Sequence, residues 1–261
     1  MSLVARGVTV KGSRGAPRVV DADVEAPPGL VTVVLGENGA GKSTFLDVLA
    51  GLLAPDAGDV QLFGASLRTL DPRARARAIA SVAQLAPHAP LTTTTERIAH
   101  GLVPVRGTRP LLDETARAAV VAAARDLDVE RHLASPLGAL SGGERRRVEL
   151  ARGLVDASAR AVILDEPFAG IDVSRRASVA ARLRARARAG AVVVVSVHEL
   201  DVAIAVGDRF VGLREGRVVA RAQALDRAFV RAVFDVEARV VADGGARGVV
   251  FVEDEAPRDL S

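Results

Sequence analysis

Short runs of aliphatic residues recur along the chain: VTVVL at 31–35, AVIL at 161–164 and AVVVVSV at 191–197. They show little polar alternation, and glycine or polar residues bound them. This pattern predicts strands buried on both faces of a parallel sheet. None of the runs approaches the ~20 apolar residues needed to cross a bilayer. Between the first two runs the pattern changes. Residues 111–129, LLDETARAAVVAAARDLDV, carry apolar positions at helical spacing, with Asp113 placed as the cap. A second helix is expected after LSGGE at 140–144, beginning near Glu144. Segment 85–110, with four prolines and the run TTTT, reads as an adaptable loop followed by a short helix. The order of elements predicts an α/β protein. A sheet-rich core would run from 1 to about 85 and resume over about 157–222, and a helical insert would occupy about 86–156. An extension over 223–261 would follow, frayed over 253–261.

Composition narrows the function classes. Apolar residues make up 49% of the 261, enough for a substantial core. The chain has no cysteine, which removes disulfide frameworks, thiolate metal sites and thiol nucleophiles. Nothing basic and then apolar follows Met1, so a cytoplasmic location is expected. The pI is about 10.3, yet the net charge is only +3. Arg clusters at 73–78 and 182–189 raise the question of nucleic acid. Their alternation with alanine suits solvated helix faces, acids nearly match them in number, and Trp and Tyr are absent. No stacking platform is available, and no nucleic-acid partner is expected.

Residues 36–44 read Gly36-Glu37-Asn38-Gly39-Ala40-Gly41-Lys42-Ser43-Thr44, after a strand and before an amphipathic helix. Strand, glycine loop and helix is the context in which G-x-x-x-x-G-K-[ST] forms a phosphate cradle. The glycines turn backbone N–H groups toward one point, and the helix N-terminus adds partial positive charge. Lys42 would reach the terminal phosphates of a nucleotide, and the Ser43 hydroxyl can ligate Mg²⁺. The chain has only two lysines, Lys11 and Lys42. A sequence that otherwise uses arginine keeps the compact ammonium here, where a planar guanidinium is too bulky.

AVILDEP at 161–167 places Asp165 and Glu166 at the C-terminal end of a buried strand, the edge at which open α/β sheets bind ligands. Asp165 is placed to hold Mg²⁺, directly or through water. Glu166 is placed to polarise an attacking water. His198 follows another such strand and can reach a terminal phosphate there. Gln84 ends a shorter strand in the same manner. In LSGGE, Ser141 can simply cap the next helix.

Taken together, these segments resemble the ATP-binding subunit of an ABC transporter over residues 1 to about 240. GENGAGKST resembles Walker A, Gln84 the Q-loop, LSGGE the family signature, AVILDEP Walker B, AGID at 169–172 the D-loop and His198 the H-switch. The most specific element is LSGGE lying between Q-loop and Walker B. The resemblance implies a P-loop NTPase fold of the ABC type, with a mostly parallel sheet, N-terminal antiparallel strands and a helical subdomain. It implies ATP and Mg²⁺ as cofactors, Ser43, Gln84 and Asp165 at the metal, and Lys42, Gln84, Glu166 and His198 in catalysis. It also implies that two copies close head to tail, so that Ser141, Gly142, Gly143 and Glu144 of one copy, with Asp172 of the D-loop, complete the nucleotide site of the other. The partners so implied are permease subunits in the membrane, on whose cytoplasmic face the chain would sit, and a periplasmic or lipoprotein substrate-binding protein. Segment 93–107 and the tail 224–245 are similar to importers of iron–siderophore complexes, haem or cobalamin. Importers of zinc or manganese, small exporters, and a regulatory cassette that drives no transport share much of the pattern.

Three features depart from the family. Members usually carry an aromatic that stacks on adenine some 25–30 positions before the phosphate loop. Here the segment is GVTVKGSRG, residues 7–15, and no aromatic occurs before Phe45. Lys11 or Arg18 is the expected substitute, through a cation–π contact. Leu30 stands where an acid commonly follows Pro-Gly, and PFAGID at 167–172 replaces a commoner Thr-containing run.

Overall fold

The computed structural model describes residues 2–12, 17–83, 90–107, 113–243 and 246–251. The chain opens with an antiparallel hairpin, β1 (Leu3–Lys11) and β2 (Pro17–Ala26), then enters the central strand β3 (Val31–Leu35). The phosphate-loop residues lead into α1 (Lys42–Leu49). Strands β4 (Ala57–Leu62) and β5 (Ala65–Ser66) return to the first hairpin and complete a four-stranded antiparallel sheet in the order β2-β1-β4-β5. Helix α2 (Pro72–Ala78) then leads to β6 (Ile79–Val82).

Among the described residues, only helical elements lie between β6 and the next strand. These are α3 (Thr94–Ala99), α4 (Val103–Arg106), α5 (Glu114–Asp126) and α6 (Gly142–Leu154), with short 3₁₀ turns between them. The Asp113 side chain caps α5, accepting from the Ala116 N–H at 2.7 Å, as its position in the sequence predicts. The short helix expected in this segment begins within the threonine run, at Thr94. Thr93 and Glu96 form a capping box on α3, and the Thr95 hydroxyl donates to Leu133 O at 2.8 Å.

The core resumes with β7 (Ala161–Leu164), α7 (Val173–Arg188), β8 (Val192–Val197), α8 (Leu200–Val206), β9 (Arg209–Arg214) and β10 (Arg217–Ala222). The main sheet has the order β10-β9-β3-β8-β7-β6, parallel throughout except for β10 at the edge. The tail forms α9 (Arg227–Phe234) and a separate hairpin, β11 (Ala238–Asp243) with β12 (Ala246–Phe251).

The aliphatic runs are unbroken because this sheet is covered on both faces. Val31, Val33, Leu35, Val193, Val195 and Leu164 face a core shared with the helices of the insert and with α7 and α8. Val34, Val192, Val194 and Ile163 face a second core shared with α1 and the antiparallel sheet. Each such side chain taken fully out of water contributes about 1.5–3 kcal/mol.

One expectation about arginine fails. Helix α2 has no buried residue, as the Arg/Ala alternation suggests, but Arg186 in α7 is only 5% exposed. Its guanidinium donates to the carbonyls of Ala157 and Ala159, the latter at 2.8 Å. It satisfies loop carbonyls before β7 instead of facing solvent.

Candidate functional site

The phosphate loop turns where glycine permits it. Gly41 is the N-cap of α1 with φ 98°, and a Cβ there would strike the carbonyl oxygen of Arg18 in β2. Lys42 is 6% exposed. Its Nζ donates to Gly36 O at 2.8 Å and Glu37 O at 3.0 Å and lies 3.8 Å from Glu166 Oε1. The ammonium therefore rests on the loop's own carbonyls. Burial pushes its pKa below the usual lysine value, and the charges of Glu166 and Asp165 partly restore it. Glu37, Asn38 and Gly39 are exposed, Ala40 is buried, Ser43 is exposed and Thr44 is half-buried at the start of α1.

Asp165 and Glu166 are each 6% exposed. The Asp165 N–H donates to Val82 O at 2.9 Å, which continues the β6–β7 ladder past its last pair. Ser196, the one hydroxyl in the valine run of β8, donates to Asp165 Oδ1 at 2.5 Å and accepts the Glu166 N–H at 2.7 Å. Glu166 adopts φ 49°, left-handed backbone that costs a non-glycine residue about 1–3 kcal/mol and persists only where neighbours hold it. His198, half exposed just past β8, places Nδ1 2.7 Å from Glu166 Oε2. Lys42, Asp165, Glu166, Ser196 and His198 thus converge at the C-terminal edge of the parallel strands. Burial, and after it the charge of Asp165, raises the carboxyl pKa of Asp47 in α1. The Ser43 hydroxyl and the Asp165 carboxylate are an all-oxygen donor set of the kind Mg²⁺ takes, and a divalent cation there would offset the crowding of the two acids.

The signature residues stand apart from this cluster. Ser141 is the N-cap of α6, so the helix begins at Gly142, two residues before the expected start. Its N–H and Oγ donate to Glu144 Oε2 at 2.9 and 2.7 Å, and its Oγ accepts the Glu144 N–H at 3.3 Å. These bonds, the backbone one first, hold the Glu144 carboxyl down to about 2, so the cap stays formed far below neutral pH. Glu144 Oε1 also lies 2.9 Å from His132 Nε2 and 3.2 Å from an Arg131 nitrogen. Ser141 and Gly142 are exposed. No hydrogen bond or ion pair among the described residues joins 141–144 to 36–44. Asp172 is an exposed N-cap of α7 that makes no side-chain cap bond. Gln84 lies outside the described residues.

Two contributors escape a reading of the sequence alone. Ser196 has a faint signal, a polar residue inside an aliphatic strand. Arg146 has none, since it sits in a run of three arginines. It is 9% exposed, and its guanidinium reaches the carbonyls of Ala83, Asp165 and Glu166.

A family model described as "ABC transporter" matches residues 19–169. A hemin import ATP-binding protein of Myxococcus xanthus is 37% identical over 268 residues, which cover 98% of this chain and 99% of that protein. An achromobactin transport ATP-binding protein of Dickeya dadantii is 33% identical, covering 85% of this chain and 83% of that one. Among solved structures, a dimeric bacterial ABC transporter cassette aligns with TM-score 0.77 at 24% identity, over 85% of this chain and 99% of that chain. A metal-chelate type ABC transporter in an inward-facing conformation aligns with TM-score 0.78 at 19% identity, over 96% of both chains. These two likenesses show a shared fold.

Proposed function

The chain belongs to the ABC transporter family, and from that premise we propose that it couples ATP hydrolysis to import of an iron–siderophore complex, haem or cobalamin. It is an ABC-type ATPase. The observation that carries the reading is the convergence of Lys42, Glu166 and His198 at the mouth of a phosphate loop, with Ser141 and Gly142 of LSGGE exposed elsewhere on the same chain. ATP phosphates would draw Lys42 from the carbonyls of Gly36 and Glu37. Glu166, oriented by His198, would take a proton from the attacking water. Mg²⁺ held by Ser43 and Asp165, with Gln84 as a further ligand, would offset charge on the phosphates. The exposed N-terminus of α6, with Asp172 nearby in the chain's D-loop, would close over the nucleotide of a second copy.

The hemin and achromobactin named in the relatives favour haem or a siderophore as the cargo. The partners would be permease subunits, at whose cytoplasmic face the chain would sit, and a separate substrate-binding protein. A groove of about 340 Å³ between α2 and the insert, lined by Leu52, Pro72, Arg75, Ile79, His100 and Pro104, suits permease docking. Leu52 at its rim is 64% exposed. No helix among the described residues is long and apolar enough to cross a membrane.

The test is uptake in cells lacking this chain, with labelled ferric siderophore, haem, cobalamin, zinc and manganese offered separately. Loss of uptake of one of the first three, restored by the wild-type chain and not by Glu166→Gln, is the expected result. No defect with any of the five would move the assignment to an exporter or a regulatory cassette.

Base selectivity gives a separate prediction. Phe45 is wholly buried and cannot stack on a base, whereas Arg18 is exposed beside Gly41 and Lys11 is exposed at the end of β1. A cation stacks on adenine and guanine alike. The KM values for ATP and GTP are therefore expected to differ by well under the tenfold that ~1.4 kcal/mol would produce. A strong preference for ATP in parallel steady-state assays would sink the idea.

A further inference from the structure

Glu166 is held through its backbone from two sides, and one side belongs to the signature helix. Its N–H is bound by Ser196 at 2.7 Å. Its carbonyl accepts from the Ala169 N–H at 3.1 Å and from Arg146 Nη2 at 2.9 Å. The same Arg146 nitrogen donates to Asp165 O, and Nη1 donates to Ala83 O at 2.9 Å. Ala83 directly precedes the segment that contains Gln84, and Asp165 and Glu166 directly follow β7. One planar guanidinium therefore closes over the C-terminal ends of two neighbouring strands, β6 and β7, at the edge where Lys42, Asp165 and Glu166 meet. A single-point ammonium cannot span three carbonyls in this way. The arginine is 9% exposed, so the bonds are shielded from solvent competition.

The other end of this lever is Ser141, Gly142 and Gly143. They form the first turn of α6, and Arg146 lies one turn further along the same helix. A helix is stiff over one turn, so displacement of its N-terminus is carried to the guanidinium and from there to the Glu166 peptide. The left-handed φ of Glu166 makes that peptide sensitive to what holds it, because such a backbone stays in place only where its surroundings over-determine it.

We infer that Arg146 is a positioning residue for hydrolysis, which sets the Glu166 backbone and ties the placement of its carboxylate to the pose of the signature helix in the same subunit. The inference rests on the assignment of Glu166 as the base. Among the described residues Arg146 makes no hydrogen bond to residues 36–44, so the hold of that loop on the ATP phosphates does not run through it. Its loss displaces the carboxylate, and misplacement by about 1 Å costs roughly 10²-fold in rate.

The experiment is a double-mutant cycle on the purified ATPase, using Arg146→Met, Glu166→Gln and the double variant, with kcat, KM for ATP and Tm measured for each. Arg146→Met is expected to lower kcat roughly 10- to 100-fold with a much smaller change in the KM for ATP. The double variant is expected to be no slower than Glu166→Gln alone, because a base that is absent cannot be misplaced. Arg146→Lys keeps the charge without the fork; it is expected to fold with an intermediate kcat, and it serves in the same cycle if the methionine variant does not fold. Wild-type kcat in Arg146→Met overturns the inference. So does a loss that multiplies with that of Glu166→Gln, the mark of a general structural defect. If Glu166→Gln itself hydrolyses ATP at the wild-type rate, the assignment of the base fails and this inference falls with it. Slow Glu166→Gln beside fast Arg146→Met removes this inference alone.

Discussion

Glu166→Gln is expected to lower kcat for ATP hydrolysis by roughly 10²–10⁴, the usual scale for loss of a positioned base, and to leave ATP binding intact. The substitution is close to isosteric. The amide oxygen can still accept from His198 Nδ1–H, and the backbone keeps its bonds to Ser196 and Arg146, so local geometry should survive. What is lost is the capacity to take a proton. Removing this charge, 3.8 Å from Lys42 Nζ, also leaves the ammonium more available to phosphate, so ATP affinity should hold or rise. Binding without turnover should then accumulate an ATP-bound dimer, visible by size-exclusion chromatography with ATP and absent with ADP. A Glu166→Gln variant that hydrolyses at the wild-type rate would refute the role of Glu166, whatever the dimer does.

How far the site can be read from sequence depends on whether its parts are contiguous. The glycine loop at 36–44 is legible because its glycines, lysine and hydroxyl lie within nine residues, and the hydrogen bonds that hold the lysine are local. Lys42 bonds to Gly36 and Glu37, and Gly41 caps the helix that Lys42 begins. The fold class is legible for a similar reason. A strand covered on both faces has to be apolar at consecutive positions, and valine runs mark β3 and β8 directly. The threonine run is only partly legible, because the start of its short helix depends on the carbonyls of Ser135 and Leu133, which the fold brings to the hydroxyls of Thr94 and Thr95.

Ser196 and Arg146 are harder still. Ser196 acts on residues thirty positions away, and Arg146 on carbonyls that any residue could supply. A backbone acceptor leaves no trace in residue type, so no pattern in the sequence points to its donor. The same limit applies to Arg186, which differs from the less buried Arg182, Arg184 and Arg188 of the same helix only in which carbonyls the tertiary fold presents to it.

Gly142→Ala is expected to lower ATPase activity by roughly 10²-fold, the scale of removing a preorganised phosphate contact, while leaving the isolated chain as stable as before. The two halves of this expectation have separate origins. A Cβ at Gly142 would meet nothing within 4 Å in the isolated chain, and the residue occupies the first position of α6, where alanine is the better helix former. Tm should therefore be unchanged or slightly higher. At Gly143 the situation differs, since a Cβ would lie 2.8 Å from Gly170 O, so an alanine there disturbs the fold as well as the site. Gly142 thus separates two explanations of LSGGE. If its glycines serve only the capping box of Ser141 and Glu144, alanine at 142 costs nothing, because neither cap bond involves it. If the helix N-terminus closes on the phosphate of a second copy, the added methyl stands between donor and phosphate. Mixing Gly142→Ala with Lys42→Ala sharpens the test. In a head-to-tail dimer one composite site would carry both defects and the other neither, so a mixture of two inactive variants should regain up to about half of the activity in its heterodimers. No recovery on mixing, or full activity in Gly142→Ala alone, would mean that the signature does not complete its partner's site.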